Sequence, residues 1–191
     1  MSSELSEIVS SDLDELILVN PDDTPVGKQT KKACHLEHGK LHRAFSIFIF
    51  NNEGEVLLQQ RSEQKFLWPM HWSNACCSHP RVGEDSEVAA RRRLKQELGI
   101  SIPLTYLYKF EYHAKYKNIG SEHELCWVWV GLADAKDISP NSNEIASWKF
   151  LSKKKLDQEL SQNPNVYTPW MKMEWHRIYE DHNDTLKSII G

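Results

Sequence analysis

Nine histidines in 191 residues invite a search for partners. His35 and His42 stand seven positions apart, His79 follows a vicinal cysteine pair in Asn74-Ala75-Cys76-Cys77-Ser78-His79-Pro80, and Glu122 and Glu124 flank His123. In an extended chain alternate side chains share a face, so Glu122 and Glu124 point one way and His123 the other. Three imidazoles and two carboxylates can fill five positions around a six-coordinate divalent ion. Mixed nitrogen and oxygen ligands suit Mn²⁺ or a neighbouring first-row ion better than four-coordinate Zn²⁺. The cysteines Cys34, Cys76, Cys77 and Cys126 have no disulfide spacing and read as free thiols of a reducing cytoplasm.

These residues need elements to carry them. Residues 42–51 are apolar on both faces, as in a strand covered on both sides. Asn51-Asn52-Glu53-Gly54 turns the chain into a second strand at 55–60. Residues 84–98 read as a helix capped by Asp85 or Ser86, with Ala90, Leu94 and Leu98 at four-residue intervals and Gly99 as its stop. Strands follow at 105–113, 122–132 and 147–151, then helices at 152–160 and 168–182. A shorter apolar run at 16–19 precedes them all. Strands dominate the middle without a regular βαβ rhythm, which predicts an α+β fold with a mixed sheet sandwiched between helices.

The length suits one domain, placed at 14–191, with a mobile segment at 1–13. The net charge of −4 offers no general attraction to nucleic acid or an anionic membrane. No apolar run is long enough to span a bilayer, and the first residues do not resemble a secretory signal. The expectation is a cytoplasmic monomer.

The helix at 84–98 carries a further pattern. Its end, Arg92-Arg93-Leu94-Lys95-Gln96-Glu97-Leu98-Gly99-Ile100, resembles the close of the Nudix box, G-x5-E-x7-R-E-U-x-E-E-x-G-U, where U is a bulky aliphatic residue. Glu84, Arg92, Leu94, Glu97, Gly99 and Ile100 match it. Ser78, Arg93 and Gln96 depart from it, and two of these departures remove carboxylates. That box holds Mg²⁺ ions that activate water against a diphosphate, so the departures predict diphosphate binding without hydrolysis.

Leu41-His42-Arg43-Ala44-Phe45-Ser46, Trp68-Pro69, the segment from Trp72 to Pro80, Tyr112, Glu122-x-Glu124 and Pro169-Trp170 together resemble the type 1 isopentenyl-diphosphate isomerases, a branch of the Nudix superfamily. The resemblance runs over about 21–175. It implies a Nudix-like α/β/α sandwich and interconversion of isopentenyl and dimethylallyl diphosphate, an early step of isoprenoid biosynthesis. Cys77, Glu124 and Tyr112 fall on the catalytic positions, and Trp170 on the aromatic wall that faces a carbocation. Lys31, Arg61, Lys65 and Arg93 would receive the diphosphate. His35, His42, His79, Glu122 and Glu124 would hold Mn²⁺ or Mg²⁺, with Cys77 also counted among the metal ligands. Glu97 would carry a second Mg²⁺ that arrives with the substrate. The expected partner is a small isoprenoid diphosphate, with no nucleic acid and no membrane.

Overall fold

The computed structural model describes residues 7–191. Its elements run β1 (Glu15–Val19), β2 (Pro25–Thr30), α1 (Lys31–His35), β3 (His42–Phe50), β4 (Val56–Arg61), β5 (Trp72–Asn74), β6 (Cys76–Ser78), α2 (Ser86–Leu98), β7 (Thr105–Tyr116), β8 (Gly120–Leu132), β9 (Ile145–Leu151), α3 (Lys153–Gln162), α4 (Pro169–Asp181) and α5 (Asn183–Ile190). The strands described form one nine-stranded sheet.

Strand β3 organises it. One edge pairs in parallel with β8 from His42↔Glu124 to Phe50↔Leu132. The other edge meets β1 at His42, β6 at residues 45–47 and β4 at Phe50, each antiparallel. The sheet is therefore mixed, as expected.

The apolar run of β3 is divided by the two-residue period of a strand. Phe45, Ile47 and Ile49 pack with Ala90, Leu94 and Leu98 of α2 on one face. Ala44, Phe48 and Phe50 pack with Trp170, Met171, Trp175 and Ile178 of α4 on the other. These β3 aromatic and aliphatic side chains are fully buried, each worth roughly 1.5–3 kcal/mol of transfer free energy. Helices on both faces of a mixed sheet give the α/β/α sandwich.

Helix α2 has the cap anticipated for it. The Asp85 side chain accepts from the backbone N–H groups of Glu87 and Val88, at 2.8 and 3.3 Å. Gly99 closes the helix at φ 75°, a left-handed conformation that glycine adopts without steric cost.

Several elements differ from the sequence expectation. Strand β2 (PVGKQT) is largely exposed and lacks apolar alternation, so only its pairing with β1 makes it a strand. Helix α1 has five residues, too short for a periodic signal; Thr30 caps it by accepting from Ala33 N–H. Strands β7 and β8 extend beyond the expected ends to meet at a tight turn, with Lys117 at φ 53°. Helix α5 is seated by one buried residue, Leu186. Of the segment at 1–13, residues 1–6 lie outside the described residues. In the remainder Val9 is buried, and its carbonyl accepts from Arg93.

Candidate active site

Strand register assembles the five candidate metal ligands. His42 opens β3, directly beside Glu124 on the parallel strand β8. Glu122 lies two residues earlier on that strand, and His79 follows directly after β6. Short helix α1 supplies His35. Its last turn presses against β8 so closely that a Cβ on Gly120 would sit 2.2 Å from the His35 carbonyl oxygen. Glycine at 120 is a requirement of that approach.

The donor atoms of His35, His42, His79, Glu122 and Glu124 all lie within 4.8 Å of one another. His35 Nε2 is 2.8 Å from Glu122 Oε2, and His79 Nε2 is 2.9 Å from Glu124 Oε1. His35 Nδ1 bonds the Lys31 carbonyl at 2.6 Å and His42 Nδ1 the Lys40 carbonyl at 2.7 Å. A carbonyl only accepts, so both rings carry a proton on Nδ1 and turn Nε2 into the cluster. His42 Nε2 is buried and has no hydrogen-bond partner among the described residues. Burial, reinforced by the neighbouring imidazoles, pushes His79 well below the ordinary histidine range. Glu122 by contrast draws His35 above that range against its burial, and a buried convergence of imidazole nitrogens and carboxylate oxygens that attracts positive charge fits a divalent cation.

Beside this cluster a cavity of about 330 Å³ is lined by Lys31, Lys65, Cys77, Tyr112, Glu124 and Trp170, among others. Tyr112 OH donates to Glu124 Oε2 at 2.6 Å. Burial would raise the Glu124 carboxyl, but the His42 imidazole 3.6 Å away and the Tyr112 hydroxyl hold it below the usual range. Trp170 Nε1 donates to Ser73 Oγ at 3.1 Å and to Cys77 Sγ at 3.2 Å, which fixes the indole over the cavity floor.

The two cysteines part company as strand alternation requires. Cys76 points into the α2 core. Cys77 faces the cavity, where its Sγ donates to Asn74 Oδ1 at 3.0 Å and lies 3.5 Å from Ser46 Oγ. Burial, assisted by the nearby Glu174 carboxyl, pushes the Cys77 thiol up to about 12. Cys77, expected among the metal ligands, stands outside the five-residue cluster, because its sulfur is directed at Asn74, Ser46 and Trp170.

The expected diphosphate residues are also brought to this cavity, with internal partners. Lys31 Nζ bonds Ser10 Oγ at 2.5 Å, and burial together with Lys65 pushes its ammonium down to about 8. Lys65 bonds Glu144. Arg61 donates from Nε to the Trp68 carbonyl at 3.1 Å and from Nη2 to the Leu67 carbonyl at 2.9 Å. It thereby clamps the 67–68 segment, where Trp68 occupies φ 47°, a costly conformation for a bulky residue. Arg93 lines the cavity yet bonds Glu97 at 2.5 Å and Glu144 at 3.3 Å. Glu97 itself is 1% exposed, and its carboxylate is paired with that guanidinium. The second Mg²⁺ expected on Glu97 would therefore meet a carboxylate that is paired with Arg93.

Sequence reasoning missed Glu144, Asn74, Ser46, Ser73 and Glu174. Asn74 and Ser73 stand beside the cysteine pair and Ser46 ends the Leu-His-Arg-Ala-Phe-Ser segment, so proximity could have raised them. Glu144 lies in a loop, and Glu174 on an apolar helix face, without a spacing signal.

Comparison with known proteins follows this geometry. The NUDIX domain family matches residues 40–171. Isopentenyl-diphosphate Delta-isomerase 1 of Photorhabdus laumondii is 43% identical over 91% of this chain and 99% of its own. Isopentenyl-diphosphate Delta-isomerase of Serratia proteamaculans is also 43% identical, over 81% and 86%. Among solved structures, a Deinococcus radiodurans protein superposes with a TM-score of 0.71 at 22% identity, over 87% of this chain and all of that one, which speaks for the fold. With this coverage and identity, the chain belongs to the type 1 isopentenyl-diphosphate Delta-isomerases of the Nudix superfamily.

Proposed function

We propose that this chain interconverts isopentenyl diphosphate and dimethylallyl diphosphate by adding a proton at C4 and removing one at C2. The observation that carries the reading is one cavity lined by Cys77, Trp170 and the Tyr112–Glu124 pair. An unactivated alkene is a very weak base, so the reaction needs an acid, a base on the other side and a wall that tolerates positive charge.

Glu124 handles the proton at C4, and Tyr112 OH orients its carboxyl. Cys77 takes the proton from C2. Trp170 presents its ring to the cationic carbon, an attraction of about 0.5–2 kcal/mol that brings no nucleophile able to trap the cation. Its N–H on Ser73 and Cys77 keeps the ring in that place. Lys31, Lys65 and Arg93 receive the diphosphate, with Arg61 holding the wall at 67–68. Which of Cys77 and Glu124 acts as acid depends on the direction of reaction.

His35, His42, His79, Glu122 and Glu124 hold one divalent cation, Mn²⁺ or Mg²⁺. When bound, that ion acidifies the Glu124 carboxyl. No step is assigned to a second Mg²⁺. Free thiols throughout are in keeping with a reducing cytoplasm, and among the described residues no helix is long and apolar enough to cross a membrane.

The competing activity is hydrolysis of a nucleotide-linked diphosphate. Against it stand Arg93 and Gln96 where the Nudix box has carboxylates. Incubation with isopentenyl diphosphate in D₂O, followed by NMR, separates the readings. The isomerase yields deuterated dimethylallyl diphosphate without phosphate release. Phosphate release, or no change, rejects this function.

A further inference from the structure

A carboxylate stands in the wall of the cavity that takes the diphosphate, where a negative charge repels a polyanion. Glu144 lines that space, is 4% exposed and closes a turn directly before β9. Its backbone is anchored on two sides. The Glu144 carbonyl accepts from Ser62 N–H, just past β4, at 2.9 Å, and its N–H donates to the Asn141 carbonyl at 2.9 Å. Asn141 N–H in turn donates to the Glu97 carbonyl near the end of α2, at 2.8 Å. The place of Glu144 is thus set by β4 and α2 together.

From that fixed base its side chain reaches two cations on separate segments. Oε2 takes the Lys65 ammonium, and Oε1 lies 3.3 Å from Arg93 Nη2. The two cations differ in what else holds them. Arg93 projects from a helix and has Glu97 and the Val9 carbonyl besides, each at 2.5 Å. Lys65 is a flexible four-carbon stem on the turn that follows β4. Lys31 and Arg93 stand close by and carry its own sign. Glu144 is the anion that the three cations share, and it offsets their mutual repulsion. Without it, the ammonium gains by swinging away from its like-charged neighbours into water.

We propose that Glu144 is a positioning residue for the diphosphate, one that fixes the Lys65 ammonium beside Arg93 before the substrate arrives. This rests on the reading of Lys65 as a diphosphate residue. Both carboxylate oxygens are taken by cations, so Glu144 acts on the substrate through Lys65 and makes no contact of its own. The freedom of the lysine stem is then given up on folding and not on binding, which tightens the grip. Charge and position predict opposite signs. Were Glu144 felt only through its charge, removing that charge would tighten the hold on a polyanion. Because it positions Lys65, removing it frees the lysine and loosens the hold.

The probe is inorganic pyrophosphate, titrated by calorimetry into the metal-loaded full chain with Mg²⁺ in excess. The proteins are wild type, Glu144→Gln, Lys65→Met and the double variant. Each single change weakens binding about tenfold, and the double variant binds within about threefold of Lys65→Met alone. KM for isopentenyl diphosphate rises with that loss, while kcat changes by less than about threefold. Damage to packing alone would persist in the Lys65→Met background; the loss of a lysine anchor does not. Should Glu144→Gln fail to fold, Glu144→Asp keeps the charge but falls one methylene short of Lys65, and it shows the same loss. Unchanged or tighter pyrophosphate binding in a folded Glu144 variant overturns the inference, and so do losses that multiply in the double variant. A wild type that binds pyrophosphate without isomerising rejects the proposed reaction, and the pattern across the variants still decides the role of Glu144. A wild type that does not bind pyrophosphate overturns both.

Discussion

Arg93 and Glu97, one turn apart on α2, are joined through Nη2 and Oε1 at 2.5 Å, and both are almost sealed from solvent. The Glu144 carboxylate adds a second anion 3.3 Å from the same guanidinium nitrogen. One of the three residues that break the Nudix pattern is therefore the cation around which two buried carboxylates are organised. The double variant Arg93→Glu, Gln96→Glu places a carboxylate between Glu97 and Glu144. It should cost about 3–5 kcal/mol of stability and weaken substrate binding, without producing a hydrolase. Chemical denaturation, KM and a phosphate assay at saturating Mg²⁺ check this. Brisk phosphate release at unchanged KM would contradict it.

The two cysteines should answer differently to the same change. Cys77→Ser keeps the shape but replaces a thiol with a hydroxyl that barely ionises, so isomerisation should fall by orders of magnitude while the fold survives. Cys76 lies in the apolar α2 core, and Cys76→Ser should cost some stability and little turnover. Turnover rates beside thermal melts decide the matter. Equal loss of turnover in both would place the reacting sulfur wrongly.

His42→Ala removes a buried Nε2 that has no hydrogen-bond partner among the described residues and lies 3.6 Å from Glu124. The variant should lose the tightly held ion and the rise in melting temperature that the ion confers. Glu97→Gln, beside Arg93, should retain that ion. Elemental analysis of the purified proteins measures both.

Gly120→Ala would push a methyl group into the His35 carbonyl oxygen. Either α1 moves off β8 or the strand shifts, at a cost of about 1–3 kcal/mol. Because α1 carries His35, metal content should fall together with stability. A stable variant with full metal content would show that α1 yields without disturbing its ligand.

Glu144 is buried, yet Lys65 and Arg93 hold its carboxyl down at about 2. A carboxyl depressed in the folded state stabilises the fold above the unfolded value near 4.5, and that contribution is lost as pH falls toward 2. The nominal size is about 3 kcal/mol. Glu144→Gln should thus be less stable than wild type at pH 7, with the difference shrinking at pH 3. Urea midpoints at the two pH values test this, and a constant difference would refute it.

The amino-acid sequence alone determined the local chemistry. Alternation placed Glu122 and Glu124 on one face, Asp85 and Gly99 bounded α2, and the order Cys77-Ser78-His79 put sulfur and imidazole on the same side of β6. Such features depend on neighbours a few residues apart, and backbone geometry fixes them. Tertiary structure decided the rest. The exposed strand β2 exists only through β1, α1 is too short to hold itself, and Gly120 earns its meaning only when His35 is pressed against it. Glu97 stands in the Nudix register as a metal-binding carboxylate, and only the packed structure shows it paired with Arg93 beside Glu144; Glu174 reads as one more helix residue until β8 brings Cys126 to its carboxyl. Whether a carboxylate binds a cation, pairs with an arginine or stays neutral is set by what surrounds it, and beyond the local Arg93–Glu97 pair those surroundings come from distant segments, Glu144 lying 51 positions from Arg93 and Cys126 48 from Glu174.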